Sequence, residues 1–229
     1  CRTGKKQNGF KISNPALNPE TLDNYETGAD LMLFKKLHVA PSVYYSVGHD
    51  FMYYISTGDS VNMGYKVVPV FQKRNISRVD IYGAEIDIDI EPARWISLFA
   101  NWAYAHPTIT RFVPANPAVD TNLTGKFLTD VPLHKVTAGM TCTNKIVNVN
   151  LLWKFVGPRW INDENGPDPD LKISKYKSYN TFSLRAWHTF YKRMVLSVNV
   201  DNLFNVIFVD DRLQRSPGRM FTAEITCNF

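Results

Sequence analysis

Residues 82–90 constrain the fold more than any other stretch. Tyr82, Ala84, Ile86, Ile88 and Ile90 alternate with Gly83, Glu85, Asp87 and Asp89. A period of two is the signature of a β-strand, whose successive side chains point to opposite faces. Three carboxylates on one face have to meet water, because an unpaired buried charge is too costly. The other face is apolar and favours leaving water. Two settings satisfy both demands: the outer layer of a soluble sheet, or a strand with one face on lipid and the other on a wet lumen. The pattern recurs. Met194, Leu196, Val198 and Val200 alternate with Val195, Ser197, Asn199 and Asp201. After a polar loop, 210–218, Phe221, Ala223, Ile225, Cys227 and Phe229 alternate with Thr222, Glu224, Thr226 and Asn228.

Composition narrows the setting. No apolar run reaches the roughly 18 residues of a transmembrane helix. A barrel strand needs only about ten residues, half of them polar, so a mean hydropathy of -0.22 does not exclude a membrane. The opening residues are no signal peptide, and an export signal is expected upstream of them. Three cysteines make no disulfide framework. Cys142 and Cys227 read as small apolar residues, and Cys1 as a cut end or an acylated lipoprotein cysteine. The net charge is +5, but Lys and Arg are spread over many loops. Without a basic helix or stacking platform, nucleic acid is not an expected partner.

Taken in order, the chain reads as nine strands. They run over about 22–34, 37–56, 75–90, 95–106, 130–142, 146–160, 176–190, 194–201 and 221–229. Short turns at Lys35–Lys36, 91–94, 143–145 and 191–193 alternate with long loops at 57–74, 107–129, 161–175 and 210–217. Aromatic residues gather near strand ends, among them Tyr25, Tyr45, Trp95, Trp102, Tyr104, Trp153 and Trp160. Outer-membrane barrels combine short periplasmic turns, long outside loops and aromatic girdles. A soluble sandwich accounts for the alternation but not for the loop lengths. The expected fold is therefore all-β, a transmembrane antiparallel up-and-down β-barrel. Tyr82, Ile86, Ile88, Leu98, Trp102, Val149, Trp153, Leu196 and Ile225 are expected on its lipid face.

Specific segments add a resemblance. Asn14-Pro15-Ala16-Leu17-Asn18-Pro19-Glu20-Thr21 followed by Tyr25-Glu26-Thr27-Gly28 resembles the entry into a mid-barrel strand of TonB-dependent outer-membrane receptors. Tyr82-Gly83-Ala84-Glu85, Pro132-Leu133-His134-Lys135, Asn202-Leu203-Phe204-Asn205 and Pro217-Gly218-Arg219-Met220-Phe221 resemble later segments, in family order. Ile207-Phe208 stands where the family often has Tyr. The resemblance implies that residues 1–229 form the C-terminal part of a 22-strand barrel. The plug, the TonB-contacting segment and the early strands are not in this sequence. It implies the outer membrane of a Gram-negative bacterium, with Phe229 at the periplasmic end as the signal read by the barrel-assembly machinery. It also implies import of a metal chelate (siderophore, haem or cobalamin), with the TonB complex, the plug and lipopolysaccharide as partners. A passive porin and a barrel enzyme are the alternatives.

Catalytic chemistry is thin. His38, His49, His106, His134 and His188 show no metal-ligand spacing, and no cofactor motif is legible. Asp87 and Asp89 read as lumen-facing neighbours rather than a catalytic pair. Asp163, Glu164, Asp168 and Asp170 lack the EF-hand spacing and read as a solvated loop. A binding surface remains. Tyr53, Tyr54, Tyr65, Phe71, Arg74, His106, Arg111, Phe112, Lys126, Arg159, Trp160 and Arg212 are placed at strand tops or in outside loops. Aromatic and cationic groups together suit a flat, anionic or ring-bearing ligand.

Overall fold

A computed structural model describes residues 9–114, 121–168, 171–190, 193–211 and 214–227. Every regular element among them is a strand. In chain order these are β1 (Phe10–Ile12), β2 (Thr21–Gly28), β3 (Leu31–Leu33), β4 (Leu37–Asn62), β5 (Val67–Ala93), β6 (Ile96–Phe112), β7 (His134–Cys142), β8 (Asn148–Val156), β9 (Arg159–Trp160), β10 (Lys175–Tyr176), β11 (Tyr179–Phe190), β12 (Met194–Asp201), β13 (Val209–Asp211), β14 (Gln214–Arg215) and β15 (Met220–Cys227). The sheet runs β15-β12-β11-β8-β7-β6-β5-β4-β2, with β3 extending β2 along β4. Neighbours on this path are antiparallel, so the chain meanders up and down. The sheet is open, with β2 and β3 at one edge and β15 at the other.

Register turns the alternation of single strands into a surface. Leu33, Leu37, Ile90, Leu98, Met140, Leu151, Leu184, Val200 and Phe221 stand side by side across all nine positions of the sheet. The row above them holds Leu31, Val39, Ile88, Ala100, Ala138, Trp153 and Phe182. Tyr25, Tyr45, Tyr82 and His106 mark the top of this face. On β6 it spans Ile96 to His106, ten residue steps or about 34 Å of strand. At the usual barrel tilt that is about 25 Å of height, the thickness of an outer-membrane apolar band. Large apolar side chains on this face are left open, Tyr82 at 48% and Ile225 at 66% exposed.

The opposite face is wet. Glu85, Asp87 and Asp89 on β5 look across β6 to Lys135 on β7 and Lys154 on β8, with Arg185 further along on β11. At Gly83 and Gly139 on this face, a neighbouring aromatic ring fills the space. A Cβ on Gly139 would stand 2.2 Å from the Phe99 ring, and one on Gly83 would stand 2.4 Å from the Tyr44 ring and from the Tyr104 carbonyl. Side chains cannot be added at either position without moving the backbone or a packed ring.

The structure corrects several boundaries. Residues 57–74 are not a long loop. β4 continues to Asn62 and β5 starts at Val67, and the ladder absorbs irregularities at Gly48/Phe51 and Ser56/Ser60 as bulges. Gly58 and Thr57 interrupt the alternation, which is why the stretch reads as loop. β6 likewise runs on to Phe112, so the second long connection begins there and not at Pro107. At the short-turn end, the turn centres on Phe34 and Lys35 rather than Lys35 and Lys36. Both have positive φ (52° and 56°), the type I′ geometry that matches the twist of a hairpin. The turn at 191–192 and the terminal Phe229 lie outside the described residues.

The face assignment is testable. Spin labels at Tyr82, Ile86, Ile88, Leu98, Trp102, Val149, Trp153, Leu196 and Ile225 of the full-length protein reconstituted in lipid should be open to oxygen and shielded from aqueous quenchers. Labels at Asp87, Lys154 and Asn199 should show the reverse. An inverted pattern would sink the barrel reading.

Candidate functional site

All long connections emerge at one end of the sheet, where the β4–β5 hairpin also projects. Residues 121–133 of the connection after β6 fold back onto the strands. The Ile109 N–H donates to the Lys126 carbonyl (2.9 Å) and the Gly125 N–H to the Ile109 carbonyl (2.8 Å). Beneath it lies a dry cluster of Tyr53, Val79, Ile109, Phe112, Leu123 and Leu128. Two sequence candidates are consumed here. Tyr53 and Phe112 are each only 8% exposed and pack ring edge to ring face at 5.7 Å. They hold the loop down and present nothing to a ligand.

The 157–178 connection is tied to the first one. Asn165 brackets the Phe127 backbone, accepting its N–H (2.6 Å) and donating to its carbonyl (2.9 Å). The Asp163 carboxylate accepts the Thr129 N–H at 2.7 Å, and the Trp160 carbonyl accepts the Asp130 N–H at 3.1 Å. Asp168 accepts the Leu171 N–H at 3.0 Å. Asp163 and Asp168 are 1% and 2% exposed. Asp163 and Asp168 are thus buried and hydrogen-bonded rather than solvated, and Asp163 braces one connection against the other. Among the described residues, no group of three or more His, Cys, Asp or Glu is arranged to hold a metal. Asp170 lies outside them. Arg159 is also structural: it is 7% exposed, donates to the Val209 carbonyl and lies 5.4 Å from the Tyr176 ring centre. Trp160, in β9, packs under the Lys175 ammonium at 4.0 Å.

His106 is displaced for a different reason. It stands opposite Tyr82 in the ladder and stacks on it at 4.5 Å, with Phe127 against its edge. It belongs to the aromatic girdle of the apolar face, on the wrong side of the wall for a lumen ligand. His134 joins the same girdle, stacked on Trp102 and beside Tyr104.

What stays accessible is concentrated on the projecting hairpin. Tyr65 at its tip is 79% exposed, with the Lys66 ammonium 5.7 Å from the ring centre. Tyr54 carries Lys11 at 4.5 Å and Lys73 at 5.5 Å. Lys11 reaches it because β1 adds in parallel beside β5, a contact between residues about 60 apart that no local signal announces. Phe71 is half-buried under Gly9, where a Cβ would meet its ring at 2.5 Å. Arg74 is exposed, and its Nε donates to Gln72 at 3.1 Å. Lys126 is half-buried in the folded connection, and Arg111 is exposed at the end of β6. Arg212 lies outside the described residues. Below the hairpin, the wet wall has a recess of about 360 Å³ lined by Glu85, Asp87, Asn101, Lys135, Thr137 and Lys154.

The family model for the TonB dependent receptor-like β-barrel matches residues 3–203. Among solved structures, the copper transporter OprC aligns with a TM-score of 0.69 at 20% identity, over 94% of this chain and 33% of its own. The siderophore receptor PirA from Acinetobacter baumannii aligns with a TM-score of 0.69 at 20% identity, over 96% and 33%. The ferric yersiniabactin uptake receptor FyuA from Yersinia pestis aligns with a TM-score of 0.62 at 16% identity, over 90% and 28%. The chain thus spans about a third of the length of these proteins. A sequence search among curated proteins found no match.

Proposed function

The chain belongs to the TonB-dependent receptor family, as part of its β-barrel, and on that premise we propose that the whole receptor imports a metal chelate across the outer membrane of a Gram-negative bacterium. The observation that carries this reading is the chemistry of the projecting hairpin. Tyr54 between Lys11 and Lys73, and Tyr65 beside Lys66, offer rings and cations together. That pairing fits an anionic, ring-bearing complex, since aromatic faces take flat groups and ammonium groups take the negative charge of the chelator. A siderophore, a haem or a cobalamin has the required character. The named neighbours, a copper transporter and receptors for siderophores, support the same class.

The rest of the proposed mechanism draws on the plug and the TonB complex that membership of the family implies. The charged wall faces a lumen that a plug domain fills in the whole receptor, and the TonB complex acts on that plug. Capture would occur on the hairpin and its neighbouring connections. Passage would follow displacement of the plug along the wet wall of Asp87, Lys135 and Lys154. The measurement is uptake of ⁵⁵Fe-loaded chelates by iron-limited cells expressing the full receptor. Uptake should vanish when the TonB complex is inactivated. Uptake that persists without it would favour the passive-channel alternative.

A further inference from the structure

The wet face separates its charges by strand. β2 and β5 carry Glu26, Glu85, Asp87 and Asp89 there, and no Lys or Arg occurs over 21–28, 37–49 or 79–90. β6 is neutral on this face from Ser97 to Ala105. β7, β8 and β11 reverse the sign with Lys135, Lys154 and Arg185, and no Asp or Glu occurs on any of the three strands. Beyond β11 the face turns acidic again, with Asp201 on β12 and Glu224 on β15. The cations therefore form one arc between two acidic banks. They also descend. Lys135 pairs with Val156, and Lys154 lies two residues, about 7 Å, nearer the short-turn end of β8. Lys154 pairs with Thr181, and Arg185 lies four residues, about 13 Å, further the same way on β11. All three are exposed, and none is in an ion pair among the described residues. Arg185 lies 5.5 Å from the Trp187 ring centre. A recess of about 360 Å³ carries Lys135 and Lys154 beside Asp87, and another of about 200 Å³ carries Arg185 beside Asp201.

We propose that Lys135, Lys154 and Arg185 form the track along which an anionic chelate crosses the lumen, and that the acidic banks hold it to that track. This rests on the import of an anionic chelate proposed above. Wall stability alone does not call for such segregation, because opposite charges stabilise a sheet when they stand directly opposite one another. Glu85 and Lys135 share a row but have Ala103 between them, so their strands are about 10 Å apart. Charges of one sign on a low-dielectric wall instead focus their field into the space before them and concentrate ions of the other sign there. Sites in series, each favourable to enter and weak enough to leave, suit passage better than one strong site. A neutral chelate gains nothing from this arc, so the track also selects by charge.

The test uses the full receptor with Lys135→Gln, Lys154→Gln and Arg185→Gln combined, and Lys154→Gln alone as a guard against a folding defect. Folding is checked by heat-modifiable migration. Iron-limited cells receive ⁵⁵Fe as a trianionic tris-catecholate or as a neutral tris-hydroxamate, and surface binding and maximal import rate are read separately. The triple variant should bind the tris-catecholate as the wild type does but import it about tenfold more slowly, and Lys154→Gln should fall between. Import of the tris-hydroxamate should not change. A second readout needs no cargo. In planar lipid bilayers, with the plug opened by urea, the reversal potential in a KCl gradient should show the triple variant less anion-selective than the wild type and Asp87→Asn more so. Equal slowing of both chelates would mark the cations as plug anchors and overturn the proposal. Unchanged selectivity in the bilayer would overturn it too. Failure of the wild type to import either chelate would count against the proposed cargo, and the bilayer readout would still decide the track.

Discussion

Ile88→Arg is expected to destabilise the folded receptor by about 2–4 kcal/mol, the cost of a cation near the bilayer midplane of a barrel. The position is set by register. Ile88 pairs with Val39 on one side and Ala100 on the other. Ala100 is the third of the six outward positions that β6 presents between Ile96 and His106. An arginine there has about 10 Å of hydrocarbon to cross in either direction, more than its side chain reaches without thinning the bilayer. Asp87→Asn changes the adjacent residue on the opposite face. Asp87 keeps a polar partner in Asn101, and the recess around it is wet. Its loss should stay within about 1 kcal/mol, the range of solvated positions. A urea titration of the full receptor in lipid vesicles compares the two. Equal losses would contradict the assignment of faces.

Deletion of residues 59–71 from the full receptor is expected to reduce chelate uptake to the background of cells lacking it. The segment carries Tyr65 and Lys66 at the tip and includes the Val70–Phe71 stretch on which β1, and with it Lys11, is docked. Its removal therefore dismantles both clusters of rings and cations. The cost to the barrel should be small. The ladder from Gly48 and Val79 downwards remains, including every row of the apolar band. Export and heat-modifiable migration should be those of the wild type. As a control at the opposite end, Asn-Gly in place of Phe34-Lys35 should leave uptake intact, because that pair adopts the same positive φ values without strain. Unchanged chelate affinity after the deletion would move the binding site to the plug and the remaining connections.

The sequence by itself determined the architecture. A side-chain period of two is a property of the strand alone, so Tyr82 to Ile90 announced its two faces before any partner strand was known. The same held for nine strand positions and for three of the four long connections, the exception being 57–74, where β4 and β5 continue to a short turn. Bulges and hairpin extensions were less legible. Around Thr57 and Gly58 the extra residues break the period although the hydrogen-bond ladder goes on. Which aromatic and cationic residues stay free was decided only by tertiary structure. Tyr53 and Tyr65 are the same residue type in the same hairpin, yet one is 8% and the other 79% exposed. The difference comes from a connection that folds over Tyr53 with Leu123 and Leu128, seventy or more residues further along the chain. Lys11 beside Tyr54, Asn165 on Phe127 and Arg111 opposite Arg78 are likewise products of pairing between distant segments. Faces follow from the covalent geometry of one strand, whereas sites follow from register and loop closure, and neither of these is written in local sequence.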